Sequence, residues 1–136
     1  MAGNGRGRIL ITSSLSATLP TPYETVYGPS RAFTRMFALG LRAELKEHGV
    51  TVTCLMPGAA DSDFHARASM NHTAFGPGMK KNSSKEVARQ GFLALMNGRA
   101  EIVGGDATKR TALEHRFLPE TYKAARHATK AKPPRA

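Results

Sequence analysis

The chain has 136 residues, enough for one small domain, with 40% hydrophobic and 22% charged residues, an ordinary composition for a folded soluble protein. No run approaches the ~18 apolar residues that a membrane span needs, and hydroxyl residues interrupt the apolar stretch after the basic start too early for a secretory signal. A cytoplasmic protein is therefore expected, and the single Cys54 excludes an internal disulfide.

The formal net charge is +10. Much of it falls at Lys109, Arg110, Arg116, Lys123, Arg126, Lys130, Lys132 and Arg135, with a second cluster at Lys80, Lys81 and Lys85. These charges read as a solvated helix face and a frayed tail. No aromatic residues alternate with them as a stacking platform would require, and one cysteine allows no zinc-finger spacing, so nucleic acid is not an expected partner.

Residues 1–7 form a glycine-rich lead. Arg8 to Ser13 predicts a strand; its run Ile9-Leu10-Ile11 is continuous rather than alternating, as in a parallel sheet covered on both faces. Ser14 to Tyr23 is a connection carrying Pro20 and Pro22. A long helix follows from about Val26 to His48, because Pro29 is tolerated only in a first turn and Gly49 suits a terminator. Its apolar stripe (Ala32, Phe33, Met36, Phe37, Leu39, Leu41, Ala43, Leu45) is wide enough to meet a sheet on one side and another surface, such as a second subunit, on the other.

Val50 to Met56 predicts the second strand, broken by Pro57-Gly58. Residues 59–82 form a mixed, lid-like connection, with a short helix near Phe64 capped by Asp61 or Asp63. Phe64, Met70, Phe75 and Met79 suit either an apolar substrate pocket or ordinary packing. Ser83 to Glu86 matches a capping box and opens a helix to about Met96. A third strand, Glu101 to Val103, is followed by helices from about Ala107 to Leu118 and Glu120 to Thr129, with a basic, disordered tail from 130 to 136. The order β-α-β-α-β-α predicts an α/β fold with three parallel strands, flanking helices and right-handed crossovers: a partial Rossmann-like, doubly wound domain over residues 1–129.

In such a sheet, reactive groups collect beyond the carboxyl ends of the strands. Ser14 follows the first strand; Pro57, Gly58, Asp61 and Ser62 follow the second; Tyr27 and Arg31 open the helix that returns from that end. Tyr27 and Arg31 are four apart, so they share a helix face. A hydroxyl, a phenol and a cation meeting at one edge can polarise a carbonyl and move a proton. The five histidines (48, 65, 72, 115 and 127) show no metal-ligand spacing and read as surface or capping residues, so no metal is expected. Cys54 reads as a small buried strand residue.

The blocks Gly7-Arg-Ile-Leu-Ile-Thr-Ser-Ser14, Val26-Tyr-Gly-Pro-Ser-Arg-Ala-Phe33, Leu41-Arg-Ala-Glu-Leu45 and Val50-Thr-Val-Thr-Cys-Leu-Met-Pro-Gly58, in that order, resemble the short-chain dehydrogenase/reductase family. The resemblance implies an NAD(P)-dependent oxidoreductase interconverting an alcohol and a carbonyl. It makes Tyr27 the acid/base, Ser14 the hydroxyl that steadies the substrate oxygen, and Arg31 the cation beside the phenol. Tyr27, Arg31, Pro57, Gly58 and Ser62 would face the NAD or NADP cofactor, and a homo-oligomer would form through helix 26–48.

Two departures from the family pattern stand out. Arg31 replaces the Lys of Tyr-x-x-x-Lys; it keeps the charge but is larger and a poor proton carrier. The family's glycine-rich turn T-G-x-x-x-G-x-G, its upstream Asn and its NAD/NADP-selecting residue have no counterpart, since no strand precedes Gly3-Asn-Gly5-Arg-Gly7. The resemblance thus points to the carboxyl-terminal half of such a domain, a truncated chain inactive by itself. The alternative is a non-catalytic interaction module derived from that fold, acting through its exposed helix face (Phe33, Met36 and Phe37), its unpaired sheet edge or its basic tail.

Overall fold

The structure, a computed structural model, describes residues 1–61 and 81–132. Within them lie β1 (Gly7–Thr12), α1 (Tyr27–Leu45), β2 (Val50–Pro57), α2 (Ser84–Met96), β3 (Glu101–Gly104), α3 (Asp106–His115) and α4 (Glu120–Ala131), with short 3-10 turns at Ala2–Asn4, Leu15–Thr18 and Lys46–His48. The three strands form one parallel sheet in the order β1-β2-β3. This is the expected α/β architecture, with element ends within one to three residues of the expected ones.

The sequence explains the boundaries. Pro29 sits in the first turn of α1, where its missing N–H is no loss. Gly49 ends the turn after α1 with φ of 65°, a conformation that favours glycine. Ser83 Oγ accepts the Glu86 backbone N–H at 3.4 Å, the forward half of the capping box. The return half is not made. The Glu86 carboxylate instead accepts from Arg89 (2.9 and 2.8 Å) and Gln90 (2.9 Å), and these bonds hold its pKa down at about 2.

β2 is the central strand and the centre of the core. Val52, Cys54 and Met56 pack with Ala38 of α1, flanked by Ile9, Ile11, Leu41, Leu45 and Val103. Each fully buried Val contributes about 1.5–3 kcal/mol by leaving water. β1 differs from its expected environment. Among the described residues it pairs with β2 alone, and Ile9, Leu10 and Ile11 are half-buried rather than enclosed. An edge strand with one neighbour has fewer side chains within reach of either face.

Arg42 closes the sheet where β3 has not yet begun. The Cys54 N–H bonds the Ala100 carbonyl, so the Val52 carbonyl, two residues earlier, faces the same side. Arg42 donates to that carbonyl at 2.7 Å and to the Gly98 carbonyl, at the end of α2, at 2.8 Å.

The carboxyl end of the chain also differs from expectation. α4 continues to Ala131, and Ala131 is buried, so Lys130 and Ala131 belong to the helix and not to a tail. The helix expected near Phe64 and the residues Phe64, Met70, Phe75 and Met79 lie outside the described residues.

Two consequences can be measured. Replacing Arg42 with Leu leaves two carbonyls without their donor and is expected to lower unfolding free energy by about 2 kcal/mol in urea titrations. The Cys54 thiol has no exposed surface, and burial pushes its pKa up to about 11. Thiol reagents at pH 8 should therefore leave it unmodified in the native chain and label it fully in urea.

Candidate active site

The strand register sets the site. Thr12 pairs with Leu55, and the Ser13 N–H bonds the Leu55 carbonyl at 2.8 Å, so the chain leaving β1 runs beside the last residues of β2, which ends at Pro57. Beyond that edge lies a cavity of about 750 Å³, within the usual range for small-molecule sites. Ser14, Tyr27, Arg31, Pro57 and Gly58 all line it. Ser62 lies outside the described residues. Asp61 is exposed and is held through its backbone, donating its N–H to the Asn82 carbonyl and accepting from the Ser84 hydroxyl at its own carbonyl.

Adjacent serines do different work. Ser13 Oγ donates to the Arg31 carbonyl at 2.7 Å and ties the end of β1 to α1. Ser14, one residue on, faces the cavity and accepts the Ser16 N–H at 3.1 Å, capping the turn Leu15–Thr18. The first turn of α1 is held as closely. A Cβ at Gly28 would collide with the Thr21 side chain, so glycine lets the helix start pack directly on the connection. The Arg31 guanidinium lies over the Tyr27 ring, 5.4 Å from its centroid, and Arg31 Nε donates to Ser30 Oγ at 3.2 Å. Helical spacing thus brings cation and phenol together in a cation–π contact.

The sequence reading missed the opposite wall. Lys123, His115 and His127 are buried, where a solvated face and surface histidines were expected. The Lys123 ammonium donates to Glu120 Oε1 (2.5 Å) and to the carbonyls of Thr18 (3.1 Å) and His115 (3.2 Å). His115 Nδ1 meets Thr18 Oγ1 at 2.9 Å, and His127 Nε2 meets Glu24 Oε2 at 3.0 Å. These residues are buried because α3 and α4 pack across the connection between Ser14 and Tyr27. One signal was present: Lys123 and His127 are four apart, on one helix face.

Asn82 is a second missed residue. Its side chain donates to the Ala59 carbonyl and to Thr108 Oγ1, both at 2.9 Å, joining the exit of β2 to α3. A lone Asn before a capping box carries no sequence signal for this. Among the described residues no group of His, Cys, Asp and Glu could hold a metal ion.

The donor set suits part of a nicotinamide dinucleotide. Hydroxyls, a phenol and a guanidinium beside the bare backbone at Pro57-Gly58 fit the nicotinamide ribose. No glycine-rich turn follows β1 to hold a diphosphate.

Comparison with known proteins agrees with this geometry. A family profile described as short chain dehydrogenase matches residues 1–73, more than half of the chain. A serine 3-dehydrogenase from Rhizobium radiobacter is 41% identical over 59 residues, covering 43% of this chain and 24% of that protein. A short-chain dehydrogenase from Sphingobium yanoikuyae, solved in complex with NADPH, superposes with a TM-score of 0.69 at 20% identity, covering 83% of this chain and 44% of the other. A short chain dehydrogenase from Burkholderia cenocepacia, in complex with NADP, gives a TM-score of 0.64 at 25% identity, covering 87% and 49%. The chain thus spans about a quarter of the curated relative's length and under half of each solved structure.

Burial, with Lys123 and Arg126 nearby, lowers the His115 pKa below its ordinary value. The unfolded chain therefore binds the proton more readily, so stability falls as pH drops below about 6.5. His115→Gln is expected to flatten thermal stability between pH 7 and 5, as measured by calorimetry.

Proposed function

We propose, starting from the fact that this chain belongs to the short-chain dehydrogenase family, that its residues supply the proton-transfer half of an NAD(P)-dependent alcohol/carbonyl oxidoreductase. The observation that carries this reading is the meeting of Ser14, Tyr27, Arg31, Pro57 and Gly58 on one cavity at the carboxyl edge of the sheet. Tyr27 and Arg31, with the Pro57-Gly58 backbone and Ser62, would hold NAD or NADP at its nicotinamide–ribose end. When bound, such a cofactor supplies the hydride chemistry.

The chain's own groups handle the substrate oxygen and its proton. In reduction the Tyr27 phenol gives its proton to the substrate oxygen; in oxidation its phenolate takes that proton back. The Ser14 hydroxyl donates a hydrogen bond to the same oxygen and steadies the charge that develops there. Arg31 places a fixed positive charge over the ring, 5.4 Å from its centroid. As Arg it serves as an electrostatic partner and not as a proton carrier.

With no glycine-rich turn to seat the diphosphate, residues 1–136 are expected to bind NADPH weakly and to need the amino-terminal half of such a domain for turnover. A second reading, a non-catalytic interaction module, draws on α1: Phe33, Met36 and Phe37 are exposed there, with the two phenyl rings stacked 6.2 Å apart.

Joining the chain to the amino-terminal half of the Burkholderia cenocepacia protein separates the readings. In that protein Tyr27→Phe should lower ketone reduction by roughly 10²–10⁴-fold with unchanged circular dichroism, while Arg31→Lys retains turnover. A loss no greater than that caused by Tyr122→Phe at an exposed position would overturn the assignment. Calorimetric titration of the 136 residues alone should show no micromolar NADPH binding.

A further inference from the structure

α4 turns a basic face toward the cavity. Lys123, Arg126, His127 and Lys130 fall at i, i+3, i+4 and i+7, the spacing at which a packing helix places apolar residues. All four line the cavity that holds Ser14 and Tyr27. The other charged residues on that wall are Arg31 and Glu24, so cations outnumber carboxylates.

Two of the four basic residues are committed to the protein. Lys123 spends its protons on Glu120, Thr18 and His115, and His127 is paired with Glu24. Arg126 and Lys130 are not so bound. Arg126 reaches the exposed Glu114 at 3.3 Å, and Lys130 has no carboxylate partner among the described residues. A cationic wall inside a partly closed cavity focuses positive potential on whatever enters. A guanidinium with an ammonium one turn away suits an oxyanion, which the guanidinium can grip with two parallel bonds.

We propose that Arg126 and Lys130 form an oxyanion-binding site, taking a carboxylate or phosphate group carried by the molecule whose hydroxyl or carbonyl reaches Tyr27. The substrate class is then an anionic alcohol or oxo compound. This rests on the reading of Tyr27 given above. A dinucleotide's diphosphate shares the chemistry, so the test separates the two sources.

The test is an amide-resolved NMR titration of the 136-residue chain with 3-hydroxybutyrate, its neutral amide, inorganic phosphate and NADPH, repeated with Arg126→Gln/Lys130→Gln. Both positions are exposed, so the fold should survive, as circular dichroism will show. The acid should shift signals in α4 and around Ser14, and should bind at least tenfold more tightly than the amide. The double variant should weaken the acid at least tenfold, and phosphate should compete with it. If NADPH shifts α4 and the hydroxy acid does not, the oxyanion comes from a phosphate of the cofactor and the substrate assignment is overturned. If the acid shifts α4 and leaves Ser14 and Tyr27 untouched, the site stands and the Tyr27 reading falls. Equal affinity for acid and amide, indifference to the double variant, or shifts spread evenly over exposed cations such as Arg6, Arg89 and Arg116 would each overturn the proposal.

Discussion

A lysine ammonium only 4% exposed, in a chain of net charge +10, must be compensated within the fold. Lys123 is compensated on three sides, by a carboxylate from its own helix and by carbonyls from the turn after β1 and from the end of α3. Each of its protons has an acceptor, and the acceptors come from three separate parts of the chain. Burial of this charge is tolerable only when α3, α4 and the connection 15–24 are together. The same packing that satisfies the ammonium therefore fixes the segment that separates Ser14 from Tyr27, and the cavity exists because that segment is held.

The rest of the site follows from the parallel sheet. The register of β1 on β2 places Ser14 beside the Pro57-Gly58 exit, and the crossover helix returning to the sheet starts there with Tyr27. The α-helical repeat then brings Arg31 over the phenol ring. None of these residues is special alone. Their meeting on one cavity comes from a topology that delivers every loop after a strand to one edge.

The difference between what could be read from the chain and what could not has a physical basis. Strand and helix periods, Pro29, Gly49 and the Ser83–Glu86 box are local signals, and they marked the elements to within a few residues. The meeting of Ser14, Tyr27, Arg31 and Pro57-Gly58 at one edge was legible because each sits at a strand end or near a helix start. Lys123, His115, His127 and Asn82 were not, since their burial depends on which distant segment packs over them. Lys123 meets Thr18 across more than a hundred residues of sequence. A charged residue near the end of a basic chain looks solvated until the partner that removes it from water is known.

Ser13 and Ser14 illustrate how narrow the tolerance at β1 is. Both serines line the cavity, but neighbouring residues in an extended chain point to opposite faces, so the Ser13 hydroxyl anchors α1 while the Ser14 hydroxyl caps the turn after β1. Moving the strand along β2 by one position, about 3.3 Å, would exchange the two serines without altering composition or hydrophobicity. The register of β1 on β2, and not its composition, therefore decides which hydroxyl anchors α1 and which is left to the turn at the cavity.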